Sequence, residues 1–232
     1  MSATSLKPGR EAAARRAYYV FEAPVRLWHW IHALSIGALA VTGYLIANPL
    51  PSVTGEASDH FLMGDIRMIH FIAAYVFAIG FAVRVYWALV GNRYAREIFY
   101  LPLWRPAWWK GLFYEIRFYL FLTRDLHRTL GHNPLAQTAM FFLNTLLSVF
   151  MILSGFALYG EGLGDGSWAD RMFGWLVPLM GSSATVRNWH DLGMWVFVTF
   201  AIIHIYMALR ADIIGRGTSV SAMISGWRIF RD

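Results

Sequence analysis

The sequence of 232 residues contains no cysteine. This absence excludes disulfide bonds, cysteine-ligated iron–sulfur clusters and covalent haem attachment through a C-x-x-C-H motif within the chain. Charged residues are also scarce, at 15% of the chain, whereas hydrophobic residues make up 57%. Soluble domains average about 25% charged residues, so the composition argues against a soluble protein.

The apolar core of a cleaved signal peptide is missing from residues 1–26, which are basic instead. We expect this segment to be an uncleaved cytoplasmic tail. The formal net charge of +6 would also suit a nucleic-acid-binding protein. The basic residues flank apolar runs, however, and this is the pattern of membrane proteins. We therefore expect a lipid bilayer and no nucleic acid among the partners.

Four apolar runs reach the length of about 20 residues that a membrane-spanning helix needs. They cover about 27–47, 68–90, 137–159 and 190–210. A span must be a helix or a barrel strand, because the bilayer offers no partner for free backbone groups. These runs are too long for barrel strands. The sequence therefore predicts an all-α integral membrane protein, a bundle of four transmembrane helices.

The distribution of basic residues predicts the orientation of the bundle. Of the 20 Lys and Arg residues, only Arg67, Arg171 and Arg187 fall in the two loops on one side. The positive-inside rule then places both termini of this multi-pass protein in the cytoplasm.

Two segments between the spans have their own patterns. Segment 95–122 interleaves charged and aromatic residues and contains two prolines, which predicts an amphipathic stretch in the cytoplasmic interface. A fifth span there is disfavoured by Lys110, Glu115 and Arg117. The outer loop, 160–189, is expected to contain one short helix.

Five histidines lie in or at the edge of the spans, where ionisable residues indicate function. His190 and His204 are 14 residues apart on one helix, so they share a face at two depths about 21 Å apart. His70 matches the outer depth of His190, and His29 or His32 matches the inner depth of His204. We infer two bis-histidine haem sites that suit electron transfer, with the inner partner left open between His29 and His32.

Two further residues follow a histidine by 14 positions and lie at the depth of the other haem. Gly43 follows His29, and it either admits a haem edge or serves ordinary helix packing. Arg84 follows His70, and it either pairs with a haem propionate or snorkels to the interface.

Several motifs together resemble the b-type cytochrome subunit of membrane-bound nickel–iron uptake hydrogenases. They are YVFEAPVRLWHW (19–30), VTGY (41–44), RVYWALVGNRYARE (84–97), GHNPLAQ (131–137) and FMILSGFALYGEG (150–162). The resemblance implies two haem b groups, with His29, His70, His190 and His204 as iron ligands. It also implies an electron-transfer subunit that is not an enzyme on its own.

The same resemblance implies a location in the bacterial inner membrane and a set of partners. The small iron–sulfur subunit of the hydrogenase, with its large nickel–iron subunit, would dock at the periplasmic face and pass electrons through both haems to quinone. More distantly, the arrangement of the histidines is similar to that in the cytochrome subunits of formate dehydrogenases. The alternative function is therefore that of a cytochrome subunit of such a quinone-linked enzyme. A transporter or proton channel is disfavoured, because the spans lack acidic residues away from their edges.

The quinone site implied by the resemblance lies beside the inner haem, before the third span. There His132, Asn133 and Gln137 offer two hydrogen-bonding amides and a proton carrier. In the other interpretation, Asn133 and Pro134 simply start the third helix.

Overall fold

A computed structural model of the chain describes residues 17–51, 55–56, 60–123, 129–215 and 218–229. The predicted N-terminal tail lies outside them up to residue 16. Within this part, four helical rods are long and apolar enough to cross a membrane. They are α1 (Ala23–Ala47), α2 (Leu62–Val90), a composite rod from Pro134 to Leu163, and α8 (Ser183–Gly215).

The four rods form one bundle, which confirms the predicted fold class. α1 packs against α2 and α8, and the composite rod packs against α2 and α8 in turn. Each rod extends past its predicted apolar run at one end or both. Hydropathy marks only the part of a helix that suits hydrocarbon, whereas the helix itself continues where water and headgroups can satisfy polar side chains.

The composite rod changes its winding along its length. It begins as α4 (Pro134–Ala139), continues as a π-helix (Met140–Leu146), and ends as α5 (Leu147–Leu163). Asn133 caps its start, because its side-chain oxygen accepts from the backbone N–H of Ala136 at 2.7 Å. The π-helix shifts the helix face, and it brings Asn144 and Thr145 into the buried interior.

The segment predicted to lie in the interface contains a short 3₁₀ turn (Glu97–Phe99) and the helix α3 (Pro106–Tyr119). The 14 residues of α3 are about 21 Å long, which is too short for the hydrocarbon core. α3 packs on α4 so closely that a Cβ added at Gly111 would lie 2.9 Å from Pro134. The segment therefore folds against the third span instead of adding a fifth.

Two short helices, not one, occupy the predicted outer loop. They are α6 (Trp168–Phe173) and α7 (Leu176–Met180). α6 lies directly against α5, since a Cβ added at Gly160 would meet the backbone of Asp170 at 2.7 Å.

The two ends of the described chain meet in a small antiparallel sheet that the sequence did not predict. β1 (Ala17–Tyr19) pairs with β2 (Trp227–Ile229), which follows the short helix α9 (Ser219–Ser225). The carboxylate of Glu22 then accepts from the indole of Trp87 and the backbone of Asn92 at the end of α2. Both ends are thus held on one side of the bundle, as an even number of spans requires.

The bundle is apolar outside and carries polar groups inside. Large side chains such as Leu34, Leu89 and Ile213 are about three-quarters exposed in the absence of lipid. Among the described residues, the buried polar side chains are those of His32, Ser35, Thr42, Arg84, Glu115, Gln137, Asn144, Thr145, Ser148 and Ser154. Burying a polar group is costly unless it is hydrogen-bonded. Polar side chains inside an apolar bundle are therefore candidate functional residues.

Glu115 provides a test of this costly burial. Its side chain is 1% exposed, and neither carboxyl oxygen has a hydrogen-bond partner in the described part of the chain. Burial raises the pKa of Glu115 from 4.5 to about 7. The folded chain therefore keeps the proton at pH values where the unfolded chain releases it. The stability contributed by this proton is complete below pH 4.5 and is lost as the pH rises through about 7.

We expect Glu115→Gln to remove this pH dependence, because the amide stays neutral. The unfolding free energy of the variant, relative to that of the unchanged chain, should increase as the pH rises across that window. The increase should be at most about 1.4 kcal/mol per pH unit. Thermal unfolding of both chains in detergent, followed by circular dichroism at several pH values, measures the difference. A difference that stays constant with pH would contradict the expectation.

Candidate haem-binding sites

The helix α8 provides two histidine levels on one rigid rod. It is continuous from Ser183 to Gly215, so His190 and His204 are separated by 14 residues of unbroken helix. That spacing is about 21 Å along the axis. Each histidine has a second histidine near it on another helix. We call the two pairs the outer pair and the inner pair, after the orientation predicted from the charge pattern.

The outer pair lies in a cavity of about 490 Å³ lined by His70 of α2 and His190 of α8. This volume is within the range of cofactor pockets. Gly43 and Gly155 also line the cavity, and each leaves room for a ring. A Cβ added at Gly43 would lie 3.3 Å from Cε1 of His70, and one at Gly155 would lie 3.2 Å from Cε1 of His190.

Hydrogen bonds fix the orientation of the outer rings. Nδ1 of His70 lies 2.9 Å from the hydroxyl of Thr42, and Nδ1 of His190 lies 2.8 Å from that of Ser154. Both hydroxyls donate their one hydrogen to a backbone carbonyl four residues earlier. They must therefore accept from the rings, so that Nδ1 is the protonated nitrogen and Nε2 keeps its lone pair for a metal.

Arginines line the same cavity. Arg67 and Arg187 each precede a cavity histidine by three residues, which is about one helical turn. They are two of the three basic residues that the charge pattern assigns to the less basic side. Their position matches the need of a haem for cations near its two propionates.

The inner pair brings the rings of His29 and His204 to a centroid distance of 6.3 Å. Two imidazoles on opposite sides of one metal have ring centroids about 6 Å apart. Metal–nitrogen distances are roughly 2.0 Å, and each nitrogen is about 1 Å from its ring centre. The inner pair therefore has the spacing of two axial ligands of one iron.

His32 points to a different neighbour. Its ring stacks between Trp28 and Phe77, with centroid distances of 4.6 and 4.4 Å. Nε2 of His32 lies 3.2 Å from the side-chain oxygen of Asn144 in the π-helix. The structure thus places His29, and not His32, against His204.

Arg84 lies 14 residues after His70, toward the end of α2, and is 2% exposed. Its guanidinium lies over the rings of Trp28 and Phe99 and donates to the carbonyl of Ala95. Nε and Nη1 of Arg84 have no partner in the described part of the chain. These donors could bind a propionate of an inner haem.

The residues assigned to a quinone site lie near the inner pair. His132 is close enough to His29 and His204 to interact electrostatically with both, and its Nδ1 lies 3.0 Å from the carboxylate of Glu97. Asn133 caps α4 through its side-chain oxygen.

The side chain of Gln137 bonds within the protein and not, as expected, to a quinone. Its two amide hydrogens bond to the carbonyls of Glu97 and Tyr100, and its oxygen accepts from the indole of Trp108. No amide hydrogen is left for a quinone. The structure indicates that Gln137 joins the 3₁₀ turn and α3 to α4.

Several residues of the site were not predicted from the sequence. Thr42, Ser154 and Asn144 contact histidines, and Gly155 shapes the outer cavity. The available signal was the presence of hydroxyl and amide side chains inside otherwise apolar runs. Such residues are also common in helix packing without any site, so the signal alone did not select them.

Comparison with known proteins adds to this geometry. The family model described as prokaryotic cytochrome b561 matches residues 20–226. A probable Ni/Fe-hydrogenase B-type cytochrome subunit from Azotobacter chroococcum mcd 1 is 56% identical over 97% of this chain and 94% of the relative. A protein of the same name from Cupriavidus necator is 53% identical over 99% and 95%. The probable Ni/Fe-hydrogenase 1 B-type cytochrome subunit of Escherichia coli K12 is 51% identical over 91% of both chains.

The choice between His29 and His32 can be tested by counting haems. We expect His29→Ala to lose one of the two haems, because its ring is the one that faces His204. His32→Ala is the matched control and should retain both, because that ring is bound to Asn144. Pyridine haemochrome assays on the purified chains give the count. Full haem content in His29→Ala would move the ligand assignment away from His29.

Proposed function

The chain belongs to the prokaryotic cytochrome b561 family, and from this premise we propose that it is the di-haem b-type cytochrome subunit of a nickel–iron hydrogenase. In this role it anchors the hydrogenase at the periplasmic face and carries electrons across the inner membrane to quinone. The observation that carries the proposal is the presence of two histidine pairs at two levels of one four-helix bundle.

Each haem b supplies one-electron chemistry, since its iron alternates between the ferric and ferrous states. His70 and His190 would hold the outer haem, and His29 and His204 the inner haem. Ligation by two imidazoles would leave no open position on the iron, which favours electron transfer over oxygen binding. The glycines at 43 and 155 would give the outer histidines room, while Arg67 and Arg187 would bind the outer propionates and Arg84 an inner one.

The direction of electron flow follows from the proposed partners. The iron–sulfur subunit of a periplasmic hydrogenase would meet the outer side, which is nearest to His70 and His190. The inner pair lies beside the segment proposed to bind quinone. The path therefore begins with hydrogen oxidation outside the membrane and ends with quinone near the cytoplasm.

Quinone reduction needs protons as well as electrons, and polar groups near the inner pair are suited to deliver them. We assign proton delivery to His132, which is partly exposed and paired with Glu97. The side chain of Asn133 caps α4 through its oxygen and also hydrogen-bonds to Tyr119, which leaves one amide hydrogen for a quinone carbonyl. Gln137 keeps this segment in place through its three hydrogen bonds.

The alternative is the cytochrome subunit of another quinone-linked enzyme, such as a formate dehydrogenase. The names of the relatives favour a hydrogenase. The two functions differ in the electron donor, so the donor that reduces the haems discriminates between them.

The central experiment is reduction of the haems by hydrogen in membranes that contain this chain and its hydrogenase subunits. With His190→Ala we expect one haem per chain instead of two. Reduction of the remaining haem by hydrogen should become at least tenfold slower, because the outer step of the path is lost. Difference absorbance spectra with hydrogen and then with dithionite measure both quantities.

His60→Ala provides the histidine control for this experiment, because His60 is exposed in a loop. It should retain two haems and the full rate. A chain without haem would refute the cytochrome assignment, whereas haems reduced by formate but not by hydrogen would establish the alternative donor.

The quinone assignment is tested by His132→Ala. We expect both haems to be reduced by hydrogen as before, while the steady-state rate of quinone reduction falls by about tenfold or more, since a positioned proton donor typically contributes 10²–10⁴-fold. Thr138→Val is the control, because its hydroxyl only bonds back to Pro134 in the same helix. An unchanged quinone rate in His132→Ala would remove this residue from the proposed site.

A further inference from the structure

The outer cavity contains the same small motif twice. Thr42 of α1 and Ser154 of α5 each contact Nδ1 of one outer histidine, and each is followed by the glycine that accommodates Cε1 of the same ring. Two different helices thus build one arrangement, a hydroxyl and a glycine, around His70 and His190.

At least one histidine of the inner pair, His29, lacks this arrangement. Nδ1 of His29 is buried and has no hydrogen-bond partner in the described part of the chain. The ring of His204 packs against Phe200 at a centroid distance of 5.7 Å, in a stacked geometry. Both outer histidines therefore donate a hydrogen bond from Nδ1, whereas His29 does not.

A hydrogen bond from Nδ1 increases the basicity of an imidazole toward its metal. A more basic ligand stabilises ferric iron more than ferrous iron, because the ferric ion has the higher charge. Each hydroxyl also donates to a carbonyl, and such a chain of hydrogen bonds polarises its members further. We propose that Thr42 and Ser154 are positioning residues that lower the reduction potential of the outer haem below that of the inner haem.

The consequence is a downhill step across the membrane. One electron leaves the ferrous outer haem and reduces the ferric inner haem, and no bond forms or breaks. This inference rests on the proposed function, because it takes His70 and His190 as the ligands of one haem.

The experiment is a potentiometric titration of the b-type absorbance in the full chain with its hydrogenase subunits. The variants are Thr42→Val, Ser154→Ala and the double variant. Each single variant removes the hydroxyl that contacts one of the outer histidines. We expect two haems per chain and a rise of the lower of the two potentials, with the other unchanged. A tenfold change in the ferric preference corresponds to 59 mV for a one-electron couple.

The two single variants should differ in size. The backbone of Leu39 offers His70 a second acceptor, so Ser154→Ala should shift the potential more than Thr42→Val. The conservative variants Thr42→Ser and Ser154→Thr keep the hydroxyl and should restore the original potential. The potential that disappears in His190→Ala identifies the outer haem.

Ser35→Ala is the matched control for loss of a buried hydroxyl. Ser35 lies in α1, is 6% exposed, and donates to the carbonyl four residues earlier at 2.8 Å, as Thr42 does. No histidine accepts or donates at its hydroxyl in the described part of the chain. Both potentials should therefore stay unchanged in Ser35→Ala.

Two unchanged potentials in a double variant that binds two haems would overturn the inference and leave the proposed function intact. If the double variant does not accumulate, pulsed EPR of the unchanged ferric protein decides the question. The remote imidazole nitrogens should report hydrogen bonding at both ligands of the outer haem and a weaker signature at the inner one. Equal signatures would also overturn the inference, whereas a wild-type chain without haem would refute the proposed function itself.

Discussion

The bundle depends on hydrogen bonds between a histidine ring and a small polar side chain of a neighbouring helix. Thr42 to His70 joins α1 to α2, and Ser154 to His190 joins α5 to α8. His32 joins α1 to the π-helix in the same way. Because no water reaches the hydrocarbon core, a hydrogen bond to a neighbouring side chain stabilises a ring nitrogen there. The bonds that orient the ligands therefore also fix how the helices face each other.

These contacts explain local irregularities of the helices. Glycine at 43 and 155 lets a ring approach the helix more closely than any side chain would allow. The π-helix adds one residue to a turn, and it directs Asn144 toward His32. The deviations from regular geometry thus occur where polar groups must meet inside an apolar bundle.

The sequence predicted what depends on a single helix. Hydropathy identified the four spans, and the 14-residue spacing of His190 and His204 identified the two levels. The spacing did not choose between His29 and His32, because they differ by only three residues and the choice depends on the rotation of α1 against its neighbours. The family resemblance implied His29. The hydrogen bonds of Gln137 and the sheet of the two ends were missed for the same reason. They join residues far apart in the chain, and no local pattern reports them.

The polar groups near the inner pair match the chemistry proposed there. The outer cavity is lined by Arg67 and Arg187 and by the carboxylate of Asp191, the residue after His190, so it has charges of both signs. Near the inner pair, the Glu97 carboxylate contacts His132, and the buried Glu115 lies in the helix that packs on the same segment. Electron transfer between haems moves no proton, whereas quinone reduction consumes protons. Groups that can exchange protons are therefore needed where the electrons leave the chain, and Glu97 and His132 lie near the inner pair, where this step is proposed.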